Sequence, residues 1–243
     1  MSYNLKFSRY NKCSILIDWP SEIDENILNS ILNFKTSILN HYSKQNVEVV
    51  NTYNSILVIY DVAVENINAE FKRLKSLFKL QDRIEKPEIK IWEIPVCYNE
   101  EYGIDLDNLA LKKQCSKSEI ITLHSKVIYT VFFIGFLPGF LYLGGLDPKL
   151  YFNRKSTPNL NIKKGAVAIG GQQTGIYPQN SPGGWHIIGQ TPVTLFNVDH
   201  NPPCFVKAGD KLKFKSIDKL EFLKLKKRFA KDAFTPKFSS TNA

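Results

Sequence analysis

The stretch Gly170–Thr191 constrains this chain more than any other. It carries six glycines and two prolines, with amides, hydroxyls, Tyr177 and Trp185 between them. Glycine lets backbone turn sharply or approach a neighbour closely, and proline fixes φ and removes a donor. A flexible linker of this composition would lack buried aromatics. Here Ile169, Ile176, Tyr177, Trp185, Ile187 and Ile188 alternate with the punctuation. The pattern predicts short strands joined by tight, fixed turns lined with hydrogen-bonding groups. Such a corner can form a site, or it can simply close a β-domain.

The 243 residues allow one large domain or two modest ones. Residues 4–9 and 13–18 read as strands, joined at Tyr10-Asn11-Lys12. Trp19-Pro20-Ser21 breaks the second, and Ser21 reads as a helix cap with Asp24 and Glu25 in the first turn. Ile27, Leu28, Ile31, Leu32, Phe34, Ile38 and Leu39 recur with helical spacing, which predicts a helix over 23–42. Strands at 47–50 and 55–60 and a helix at 64–79 complete the order β-β-α-β-β-α. This is an α+β first domain over residues 1–85. The charged segment Gln81–Glu88, with Pro87, reads as the boundary.

The second domain, 89–243, opens on a strand over 89–98 in which Pro95 marks an edge or an end. Short helices follow at 105–113 and 117–125, with Ser118 near the start of the second. Residues 129–134 are strongly β-prone, and from there to Phe214 strands are short and turns frequent. That spacing predicts a β-barrel or sandwich. A last helix over 217–229 and a frayed tail after Pro236 end the reading.

Thirty-two lysines and arginines against 23 acids give a net charge of +9. The lysines are spread along the chain, and the densest run, 211–231, reads as an exposed strand and a solvated helix face. No nucleic-acid motif accompanies them. Cys13, Cys97, Cys115 and Cys204 form no Cys-x-x-Cys pair, no apolar leader precedes them, and no run is long enough for a membrane span. A cytoplasmic protein with reduced thiols is the expectation.

Familiar catalytic signatures are missing: no P-loop, no His-Glu-x-x-His, no Gly-x-Ser-x-Gly, and four histidines too scattered for a metal site. Three candidates remain. His124 can act as acid or base, or be a half-buried histidine satisfied by a carbonyl. Arg154, with Lys155 before Ser156-Thr157-Pro158, suits a carboxylate or phosphate, or is a solvated loop charge. Gln172, Gln173 and Thr174 can orient a small amide or carboxylate, or satisfy neighbouring backbone. Tyr177 and Trp185 can wall a pocket or fill a core. Cys97 and Cys204 have no adjacent histidine and do not read as nucleophiles.

Three long motifs occur in order: Phe133-Ile134-Gly135-Phe136-Leu137-Pro138-Gly139-Phe140-Leu141-Tyr142-Leu143-Gly144-Gly145-Leu146, then Gly165–Pro178, then Ser181–Gly189. Together they resemble the family of the 5-oxoprolinase B subunit, also labelled allophanate hydrolase subunit 1 or KipI-type kinase inhibitor. Ile94–Tyr98 and Leu123-His124-Ser125 fit it as well. The resemblance implies a cyclophilin-like β-barrel after the small α+β domain. It implies an enzyme active only in complex, in which this chain joins the C and A subunits and 5-oxo-L-proline is opened to L-glutamate at the expense of ATP. It also leaves two other functions: inhibition of a sensor histidine kinase, and service in a urea- or allophanate-type carboxyltransferase or amide hydrolase. His124, Arg154 and Gln172 are the catalytic candidates. Pro138, Gly139, Phe140, Thr157, Gly171, Gln173, Thr174, Tyr177, Gly183, Gly184 and Trp185 are the candidate substrate-binding lining. No metal, membrane or nucleic-acid partner is implied. The chain departs from the family pattern at Leu137 (usually alanine), Leu141 (proline), Asn159 (arginine) and His186 (glutamine).

Overall fold

In the computed structural model, which describes residues 3–80, 88–231 and 236–241, the chain divides into two units, Met1–Pro87 and Glu88–Ala243. The first contains β1 (Lys6–Asn11), β2 (Ser14–Asp18), α1 (Glu25–His41), β3 (Val47–Asn51), β4 (Ser55–Tyr60) and α2 (Ile67–Leu80). Its antiparallel sheet has the order β1-β2-β4-β3. Alternation along β2 and β4 buries Ile15, Ile17, Ile56 and Val58 against Ile31, Phe34 and Ile38 of α1. Asp24, not the expected Ser21, caps α1: its Oδ1 accepts from the amides of Asn26 and Ile27 at 2.8 and 3.1 Å. The helix therefore starts two residues later than its apolar spacing suggests. The buried Glu70 of α2 accepts hydrogen bonds from Tyr42 and Tyr60 and an ion pair from Arg73, so its burial is matched by partners on both oxygens. The expected boundary at 81–88 falls, except for Glu88, outside the described residues.

The second unit contains β5 (Ile89–Cys97), α3 (Leu106–Lys113), α4 (Lys117–Ser125), β6 (Ile128–Ile134), β7 (Leu141–Gly144), a 3-10 turn (Pro148–Leu150), β8 (Asn159–Ile162), β9 (Ala166–Gly170), β10 (Gln173–Ile176), β11 (Ser181–Gly183), β12 (His186–Gln190), β13 (Lys211–Ile217), α5 (Lys219–Lys231) and β14 (Phe238–Thr241). Strands β12-β9-β10-β7-β6-β13-β5 follow one another, and β12 pairs with β5, so the sheet closes into a barrel. Its interior is filled by Ile94, Val131, Leu143, Val167, Ile176 and Phe214 among others. Pro95 lies opposite Lys215 of β13. On its other side β14 reaches only to Trp92, and β12 touches only Cys97, so the missing donor falls in a gap in the pairing.

Two expectations change. The tail after Pro236 is not frayed: it forms β14, antiparallel to β5, with Phe238 packed on Trp92 at 4.8 Å. Gln173 and Thr174 belong to a strand rather than to the turn before it. Helix α4 is capped by Ser116, whose Oγ accepts from the Glu119 amide, and Ser118 lies in its first turn as expected. No helix among the described residues is long and apolar enough to cross a membrane.

Candidate functional site on the outer wall of the barrel

The period of two divides β9 and β10 between two environments. Val167, Ile169 and Ile176 face the interior, while Ala166 and Ala168 lie under Phe140, Tyr177, Trp185 and Ile187 on the outer wall. Small residues are required there because the indole of Trp185 lies on the sheet itself. A Cβ at Gly170 would meet three indole atoms at 2.6 Å, and one at Gly175 would meet the Leu141 carbonyl oxygen at 2.7 Å. Phe140 meets Tyr177 and Trp185 edge-on at 5.1 and 5.5 Å, and Tyr142 stacks on Phe133 at 4.1 Å. The result is an aromatic wall built on glycine and alanine. Gly170→Ala is expected to lower stability by about 1–3 kcal/mol through overpacking. Urea unfolding checks this, and an unchanged midpoint would mean that the indole does not rest on this strand.

A strap of residues 151–157 crosses the wall and is fixed at four points. Phe152 and Gly171 exchange backbone hydrogen bonds of 2.9 and 2.7 Å. The Lys155 amide donates to the Gly184 carbonyl at 2.7 Å. His186 Nε2 donates to the Asn153 carbonyl at 2.9 Å. Lys155 Nζ bridges both oxygens of Asp105 at 2.7 and 2.8 Å. Asp105 in turn accepts from the Ile187 amide at 2.7 Å, so one carboxylate ties the start of α3, the strap and β12 together. The strap holds the Arg154 guanidinium 5.6 Å from the Trp185 ring centroid. Arg154 is exposed as well as held by the ring, so its planar fork remains available for an anion.

Between the strap and α3 runs a groove of about 620 Å³. Asn108 and Lys112 enter it from α3, and Arg154, Ser156 and Thr157 from the strap, with His186 at its side. Burial lowers the His186 pKa against the opposing pull of its bond to Asn153, so the ring is neutral near pH 7. Burial raises the Tyr142 hydroxyl, and the positive charge of Arg154 acts against that rise, which puts the two groups in one electrostatic environment. Removing the Asp105 carboxylate strands the Ile187 amide and the Lys155 ammonium. Asp105→Ala is expected to cost roughly 2 kcal/mol, with Asp105→Asn recovering part of it. Denaturant melts of the three proteins decide this, and a loss of only a few tenths would refute the latch.

The structure gathers many of the sequence candidates. Arg154, Tyr177, Gly183, Gly184 and Trp185 lie on or beside the wall with Phe140, and Gly171 fastens the strap that carries Thr157. Gly139 turns the chain into Phe140 with φ +84° after the exposed Pro138. Gln172 is exposed at the β9–β10 turn, and Gln173 is half-buried with its Oε1 enclosed.

His124 and Thr174 are placed differently: both are fully buried in the barrel interior. Thr174 Oγ1 donates to the Ala168 carbonyl at 3.0 Å, so it must accept from His124 Nε2 at 2.9 Å. His124 Nδ1 then accepts from the Tyr98 hydroxyl at 2.8 Å. Every partner suits the neutral ring, and burial pushes its pKa down to about 3. His124 therefore serves the interior of the barrel rather than its outer wall. Nothing in the sequence singles out Asp105, Asn108 and Lys112. The spacing of the last two puts them on one helical face, but only the packing of α3 beside β12 turns that face toward Arg154.

Residues 5–206 match the family described as carboxyltransferase domain, subdomain C and D. A protein of Bacillus subtilis (strain 168), named as the B subunit of 5-oxoprolinase, is 34% identical over 233 residues, covering 91% of this chain and 97% of that protein. The solved structure of TTHA0988 superposes with a TM-score of 0.72 at 28% identity, covering 84% of this chain and 40% of that one. Kluyveromyces lactis urea carboxylase superposes with a TM-score of 0.83 over 99% of this chain and 24% of that one. Its identity is 18%, so that likeness concerns the fold alone.

Proposed function

We propose that this chain, which belongs to the carboxyltransferase subdomain C and D family, is the B subunit of a 5-oxoprolinase. In this reading it joins the C and A subunits in an ATP-dependent complex that opens the lactam of 5-oxo-L-proline to L-glutamate. The observation that carries it is the identity of 34% over nearly the full length of a protein bearing that name. The urea carboxylase likeness shares the fold and gives no ground for preferring that substrate.

The geometry suits such a role. A five-membered lactam is flat and apolar on its faces, and of the wall's rings the half-buried Phe133 and Tyr142 offer a fitting surface for it. Amide resonance makes its carbonyl a poor electrophile, so opening it requires negative charge on the carbonyl oxygen to be stabilised. Arg154, held over Trp185 by the strap, offers fixed donors for that charge. ATP supplies the phosphoryl group that activates the carbonyl when it is bound. A strain lacking this gene is expected to accumulate 5-oxoproline and to lose growth on it as nitrogen source. Normal turnover in that strain would end the assignment.

A further inference from the structure

The groove beside the aromatic wall is much larger than a single lactam ring needs. At about 620 Å³ it falls in the range that takes a drug-sized ligand. Its charge is also unbalanced. Lys155 is matched by Asp105, at 2.7 and 2.8 Å. Lys112 and Arg154 have aromatic rings as their described partners: Lys112 stands 5.7 Å from the Phe152 centroid and Arg154 5.6 Å from that of Trp185. Cation–π contact of this kind steadies a cation without neutralising it. Two uncompensated cations thus line one groove together with the neutral donors of Asn108, Ser156 and Thr157. This donor set fits a multiply charged oxyanion, with Arg154 as a fork and Lys112 as a point charge.

We infer that this groove is a polyphosphate site and holds the phosphate chain of a nucleotide. The terminal phosphate lies toward Arg154 and the preceding phosphates toward Lys112. The inference rests on the reading of the chain as part of an ATP-coupled lactam hydrolase, and it places nucleotide phosphate on this chain. Arg154 then belongs to both regions, facing the wall where the lactam packs and the groove where the phosphates enter. Asp105 positions it through Lys155.

The probe is inorganic tripolyphosphate, titrated calorimetrically in magnesium-free buffer into the full-length chain and into the assembled complex. One saturable site per chain is expected, competed by ATP and not by 5-oxoproline, and weakening as salt is added. Lys112→Ala and Arg154→Ala are each expected to weaken it about tenfold, as loss of a charge-assisted bond would. Lys112→Arg should restore binding, and Lys149→Ala, outside the groove, should leave it unchanged. Absence of saturable binding in both chain and complex would overturn the inference, as would binding indifferent to Lys112 and Arg154. Displacement of tripolyphosphate by 5-oxoproline would overturn it too, because the groove would then be the lactam's own. Turnover of 5-oxoproline by the complex is measured separately. Turnover without polyphosphate binding removes only this inference, and polyphosphate binding without turnover removes the functional reading.

Discussion

Trp185→Ala is expected to be the most damaging single change on the outer wall, costing about 3–5 kcal/mol. The indole is buried, and Gly170 and Gly175 leave it no side chain to be replaced by. Truncation opens a cavity over bare backbone, and the sheet cannot collapse into it because β9 and β10 are fixed by their neighbours in a closed barrel. The same change removes the ring over which Arg154 is held. Stability and activity should therefore fall together. Trp185→Phe should recover part of the stability while leaving the Arg154 platform smaller. Urea unfolding followed by tryptophan-independent far-UV signal measures the first effect. A loss below about 1 kcal/mol, well under the usual cost of such a truncation, would show that the wall is not packed as described.

The second large effect is a dependence of stability on pH set inside the barrel. His124 has its pKa lowered from the ordinary 6.5 to about 3 by burial. Between those values the unfolded chain binds a proton that the folded chain refuses, so stability rises with pH across that window and is complete above 6.5. On acidification the folded state loses about 1.4 kcal/mol for each pH unit below the ordinary histidine value. Protonation would also place a donor on Nδ1, where the Tyr98 hydroxyl already donates. His124→Gln removes the titration. The variant should be less stable than the native chain at about pH 7.5, and the gap should narrow steadily towards about pH 4.5. Denaturant midpoints across that range suffice, and parallel curves for the two proteins would contradict a neutral buried His124.

Much of the framework is legible because local pattern decides it. Alternation in β2 and β4 and helical spacing at Ile27, Ile31, Phe34 and Ile38 each name a buried face without knowledge of the rest. Asp24 is less legible, since Ser21 and Asp24 both suit a cap and only the path of the chain after Pro20 chooses between them. The strand at Phe238–Thr241 has no strong signal of its own, because it depends on an edge of β5 left open by Pro95 and β12. Within Gly170–Ile176, which reads as short strands joined by tight turns, Gln173 and Thr174 are assigned to the turn. In a barrel wall, glycine inside a strand makes room for an aromatic ring, so a strand carrying Gly175 is mistaken for a break.

The candidate site divides in the same way. Tyr177 and Trp185 stand within motifs, Arg154 stands beside Ser156-Thr157-Pro158, and their types already suggest anion and ring contacts. The placement of His124 inside the barrel depends on Tyr98 and Thr174, 26 and 50 residues away. The Asp105–Lys155 latch likewise spans 50 residues. Neither pairing leaves a trace in local spacing, and Lys112 acquires meaning only when the latch sets α3 beside the strap.

The most direct measurement is reconstitution. The chain is purified with the two partner subunits the reading requires, and ATP hydrolysis and glutamate release are followed with and without 5-oxoproline. The account predicts a stable assembly whose ATP hydrolysis depends on 5-oxoproline and yields L-glutamate, with both signals falling about a hundredfold in Arg154→Ala as expected for loss of an oxyanion-stabilising donor. An assembly that hydrolyses ATP regardless of 5-oxoproline and releases no glutamate would contradict it.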